Sequence, residues 1–140
     1  MRRTLVPALI ALAALVAVGA ARSSPQAAAK DPKIERGHYL VHQVAMCVQC
    51  HSPRDENGEL IPERLLRGEA IPFSSPFPTQ RWAFRAPAIA GLPGYSKADG
   101  VRLLTTGVAP SGHSPMPPMP PFRMTKEDAE AVVEYLVSIG

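Results

Sequence analysis

Cys47-Val48-Gln49-Cys50-His51 decides how this chain is read. Two thiols three positions apart, with an imidazole directly after the second, form the C-x-x-C-H haem-attachment signature. The spacing has a chemical reason. Each cysteine can add across one vinyl group of haem to give a thioether, and the next residue then lies under the iron. His51 is therefore the expected proximal nitrogen ligand. No other cysteine occurs among the 140 residues, so neither thiol has a disulfide partner elsewhere. A structural zinc site takes four Cys or His ligands, and the chain has no second C-x-x-C pair. A thioredoxin-like dithiol needs a strand before the motif and a βαβ setting, whereas the residues before Cys47 read as a helix.

The beginning of the chain agrees with that chemistry. Arg2 and Arg3 precede an almost wholly apolar run from Leu5 to Val18, and Val18-Gly19-Ala20 offers the small residues a signal peptidase needs. Residues 1–21 read as a secretory signal, cleaved near Ala20 or Ala21. The alternative is an uncleaved anchor, although the run falls short of the roughly 18–20 residues that span a bilayer and Pro7 interrupts it. Export fits covalent haem, because attachment is completed outside the bacterial cytoplasm. The expected location is the periplasm, with membrane attachment only if the leader is kept.

Without Arg2 and Arg3, thirteen Lys and Arg face twelve acids, so the exported chain is near +1. Two haem propionates take it to about −1. The basic balance of the full sequence thus belongs to the leader and gives no argument for nucleic acid.

Residues 22–30 read as a flexible small-residue linker and 31–140 as one domain. Asp31-Pro32 is an N-cap followed by proline at the first helical position. Ile34, Gly37, Val41, Val44 and Val48 recur at helical spacing and predict one apolar stripe running up to the haem motif. Gly37 is expected where a second helix crosses closely. Ser96 to Gly107 reads as a second helix, capped by Ser96, with Asp99 in its first turn and Gly107 at its end. Thr125 to Ile139 reads as a third. It opens on a capping-box-like Thr125-Lys126-Glu127-Asp128 and buries Ala129, Val132, Val133, Leu136 and Ile139. The 60–95 stretch is rich in proline and lacks the period-2 pattern of strands. Long loops around so small a helical core are unusual. One large apolar haem supplies the missing core.

Three further stretches carry a resemblance. Glu35-Arg36-Gly37-His38-Tyr39-Leu40 stands before the motif, Cys50-His51-Ser52-Pro53-Arg54-Asp55 leaves it, and Pro118-Met119-Pro120-Pro121-Phe122-Arg123-Met124 precedes Asp128-Ala129 and Tyr135-Leu136. Over residues 33–139 the chain resembles the class I mono-haem cytochromes c, in particular those serving bacterial periplasmic dehydrogenases. The resemblance implies an all-α fold with about three main helices and long loops wrapped round one haem, covalent through Cys47 and Cys50. Many members carry an aromatic four residues after the glycine of the first helix. This chain has Val41 there, and Tyr39 is the expected replacement.

The resemblance also implies a sixth iron ligand, usually a methionine thioether. Met116, Met119 and Met124 crowd one region. Met119, within Pro-Pro-Met-Pro-Pro-Phe, aligns best with the family loop and is assigned, with His51, as the metal-ligand pair. Met116 is the alternative, and Met124, just before the last helix, reads as a packing residue. His113 is the rival that gives bis-His ligation. Pro115, Pro117, Pro118, Pro120 and Pro121 fix φ and lower the entropy of the free loop, which helps to present a weak neutral ligand. His38 and His42 read as ordinary helix residues. By the same resemblance Arg81, Trp82 or Arg85 contacts the propionates, and the Pro62 carbonyl holds the other nitrogen of His51.

The expected function is single-electron transfer and not enzymatic bond chemistry. The expected donor is a periplasmic dehydrogenase, and the expected acceptor an oxidase or another cytochrome. Two alternatives stand beside it: a haem-bearing subunit of a larger dehydrogenase complex, and a haem-based gas sensor whose sixth ligand is labile.

Overall fold

The computed structural model describes residues 31–140, so the expected leader and linker, 1–21 and 22–30, lie outside the described residues. Among the described residues four α-helices carry the fold: α1 (Pro32–Tyr39), α2 (Cys47–His51), α3 (Lys97–Thr106) and α4 (Lys126–Ser138). Two strands of two residues each, β1 (Glu69–Ala70) and β2 (Arg85–Ala86), pair antiparallel.

α1 starts where the sequence places it. The Asp31 side chain accepts from the Lys33 N–H, and proline occupies the first turn. The predicted unbroken stripe into the haem motif does not form. A π-helical segment, Leu40–Val44, follows α1, with the Ala45 N–H donating to the Leu40 carbonyl. The extra residue in that turn rotates later side chains out of phase, so Val41 is fully buried while Val44 is 55% exposed. Met46 then takes a left-handed backbone (φ 54°) and redirects the chain into α2.

Gly37 marks the crossing of α1 on α4. A Cβ built there overlaps the Ala131 carbonyl and comes within 2.6 Å of Tyr135 Cβ. Only glycine lets these two backbones approach so closely. Tyr39, the expected aromatic substitute at this crossing, is instead half exposed under the Arg36 guanidinium, 5.7 Å from its carbon. Its position on the helix faces it away from α4. The aromatic contact comes from the other side, where the stacked rings of His38 and His42 (4.2 Å) meet Tyr135 edge-on. His42 Nε2 and the Tyr135 hydroxyl share a 2.7 Å hydrogen bond.

α3 has the complete capping box that its sequence announces, and Gly107 closes it with φ 70°. α4 has half of one. The Thr125 hydroxyl accepts from the Asp128 N–H, but the Asp128 carboxylate turns to Arg36 of α1 and takes a bidentate pair of bonds. The predicted α4 stripe is buried apart from a half-buried Ile139, and Ala131 and Tyr135 join it. They are buried because α4 is covered on two faces, by α1 and by α3.

The loop after α2 is stitched back onto the motif. The buried Ser52 hydroxyl accepts from the Leu66 N–H, and the Gly68 N–H donates to the His51 carbonyl. Gly68 has φ 83°, and a Cβ there falls 2.6 Å from the Ala88 nitrogen. Glycine thus lets the 85–88 segment lie directly against the haem motif.

Candidate haem site

α2 is five residues long and fixes its three chemical groups over a little more than one turn. His51 is 8% exposed, Cys47 is half-buried and Cys50 is exposed. Both thiols are free. Burial pushes the Cys47 thiol up to about 11, so it is a neutral S–H at ordinary pH.

The His51 ring is oriented by a 2.7 Å hydrogen bond between Nδ1 and the Pro87 carbonyl oxygen. A carbonyl can only accept, so the proton sits on Nδ1 and Nε2 keeps its lone pair. Burial lowers the His51 pKa, and the bond to Pro87 only partly opposes it. The neutral imidazole that a metal requires is thereby favoured. The carbonyl expected from Pro62 is therefore supplied by Pro87. Pro62 opens a 3₁₀ turn, Pro62–Arg64, with its residue exposed to solvent, while the Gly68 approach brings Pro87 onto the histidine. Nothing in a side-chain pattern marks a carbonyl, so this partner was not legible beforehand.

Cys47, Cys50 and His51 open onto a cavity of about 490 Å³. Apolar side chains from three sides line it, among them Ile71, Leu92, Leu103, Leu104, Val132 and Leu136. Met116, Met119 and His113 reach it from the 108–122 loop. Met119 is half-buried, and Met116 is 41% exposed. Met124 is not among the lining residues. It packs on the core, and its N–H donates to the Leu104 carbonyl. Of the expected propionate partners Arg85 lines the cavity. Arg81 and Trp82 do not, and the Trp82 Nε1–H donates to the Phe73 carbonyl instead.

These residues fit a haem. The cavity is apolar and joins two thiols, a neutral imidazole with a free Nε2, thioether sulfurs and one arginine. Cys47 and Cys50 would hold the group covalently and His51 would ligate its iron, giving the protein a one-electron ferric/ferrous couple.

A domain of four α-helices and long loops with little strand, folded round a C-x-x-C-H cavity, is an all-α domain of the class I cytochrome c type. The family model described as Cytochrome c matches residues 34–140, and the chain belongs to the cytochrome c family. Covalent haem c and electron carriage follow from that membership. No curated protein matches the chain.

Proposed function

We propose that this protein is an exported, periplasmic single-electron carrier with one haem c, ligated by His51 and Met119. Its donor is a periplasmic dehydrogenase, and its acceptor is an oxidase or another cytochrome. One observation carries the reading: a single apolar cavity gathers Cys47, Cys50 and His51 from α2 and the methionines of the 108–122 loop. With His51 and Met119 both holding the group, no position would be left for a substrate, and the haem would supply one-electron exchange alone. A neutral thioether opposite an imidazole also favours the ferrous form and raises the potential. Met119 is preferred over Met116 because it is the more buried of the two; both stand between prolines, whose fixed φ limits the loop's freedom. His113 supports a second reading, bis-His ligation, because it lines the same cavity.

Met119→Ala tests the assignment. The variant should keep its covalent haem, lose the ferric methionine-to-iron band, fall in potential and bind carbon monoxide. Met116→Ala and Met124→Ala should leave the band in place. Loss of the band in Met116→Ala alone makes Met116 the ligand. An unchanged spectrum in all three points to His113 or to an open sixth position, the latter favouring the sensor alternative.

A further inference from the structure

The electron-carrier reading leaves open where a partner docks, and the loop between β1 and β2 supplies an answer. Phe73, Phe77 and Phe84 are 53%, 64% and 82% exposed. Three exposed phenylalanines within twelve residues are not scattered surface apolarity. Phe84 lies between Ala83 and Arg85, which both line the haem cavity, yet its own side chain is almost wholly in solvent. The loop is also tied to the methionine segment, since the Ala83 N–H donates to the Pro117 carbonyl at 2.7 Å. Phe84 therefore stands beside the cavity, and Phe73 follows Ile71, which lines it, by two residues.

They are held in place. The Trp82 Nε1–H donates to the Phe73 carbonyl at 3.1 Å, and the two rings meet edge-on at 6.1 Å. The Ser75 hydroxyl donates to Gln80 Oε1 and accepts from the Phe77 N–H. Pro72, Pro76 and Pro78 restrict the backbone between them. A loop ordered before the encounter loses little entropy on binding.

Charge sets the kind of partner. Residues 70–95 contain Arg81 and Arg85 and no carboxylate, while residues 108–122 contain no Lys, Arg, Asp or Glu. Both arginines are exposed; Arg85 also lines the cavity, and Arg81 does not.

We propose that the Phe73–Phe84 loop is the docking surface for a redox protein that covers its own cofactor with an apolar patch and bears carboxylates at the rim of that patch. This rests on the electron-carrier reading. A transient redox interface buries less than about 1,200 Å² in total. Aromatic side chains bury roughly 150–250 Å² each, so these three supply much of one partner's share. Apolar contact dominates the encounter, with Arg81 adding a modest attraction to acidic groups.

The test is stopped-flow oxidation of the reduced holoprotein by two probes: ferricyanide, and a blue-copper protein with an acidic apolar patch at its copper site. Each encounter moves one electron from the reduced protein to copper(II), giving copper(I). A Phe77→Ser/Phe84→Ser double variant should keep the visible spectrum and react with ferricyanide within twofold of the wild type. Its second-order rate with the blue-copper protein should fall tenfold or more, and Phe77→Leu/Phe84→Leu should restore most of it. Equal blue-copper rates in the wild type and the Ser variant overturn the proposal. So does a phenylalanine-dependent co-sedimentation with phosphatidylglycerol vesicles at an unchanged blue-copper rate, which makes the loop a membrane contact. A wild-type holoprotein that ferricyanide cannot oxidise overturns the carrier reading, and the docking surface with it.

Discussion

At the scale of single residues, Gly37 and His51 show how closely the backbone is specified around this site. Gly37→Ala places a Cβ against the Ala131 carbonyl, a backbone atom that cannot turn aside as a side chain can. α1 must lift from α4, and overpacking of this kind costs about 1–3 kcal/mol. Urea unfolding of the holoprotein should show a lower midpoint at an unchanged slope. A midpoint equal to the wild type's means that the helices cross less closely than described. The glycine was legible in the sequence because an interior helical glycine is costly unless something needs the space. The partner of His51 was not. The motif points to the histidine, but which carbonyl orients it depends on where Gly68 lets the chain return.

Among the elements, the crossing of α1 and its π-helical extension on α4 carries a pH dependence. Burial, and then the neighbouring His38, lower the His42 pKa below 6.5. The groups facing it are His38 and the Tyr135 hydroxyl, whose own pKa burial raises. The folded protein binds this proton less readily than the unfolded chain, so the unfolded state holds more protons between the folded value and 6.5. The contribution of His42 to stability is therefore complete above that window and is lost as pH falls through the folded value. His42→Gln, which can keep a bond to Tyr135, should flatten the rise of Tm between pH 5 and 7. A slope identical to the wild type's removes His42 from the acid sensitivity. The helix caps were legible here because Asp31, Ser96, Gly107 and Thr125 act through their own backbone neighbours. The π-helical turn was not, because periodicity in Ile34, Val41 and Val48 fits a straight helix and a phase-shifted one nearly as well. Val44, which ends up in solvent, is where the two readings part.

For the whole molecule the cofactor stands in for the missing core. Leu103 and Leu104 of α3 and Val132 and Leu136 of α4 turn apolar surface into the cavity of about 490 Å³, surface that a bound haem would cover. The long proline-rich loops, read in the sequence as too much loop for so little helix, line and cover this cavity with Ile71, Arg85, Met116 and Met119. Fold class was legible because a local five-residue pattern, Cys47 to His51, points to it. The pairing of distant loops, such as Ala83 with Pro117, was not, since backbone bonds across 34 residues leave no local trace. The most direct measurement is the mass of the protein exported from a bacterium that matures c-type haem, taken after acid-acetone extraction. The account predicts a gain of one haem that survives extraction in the wild type and is absent in Cys47→Ala/Cys50→Ala. A wild-type chain that leaves extraction at its bare polypeptide mass contradicts it.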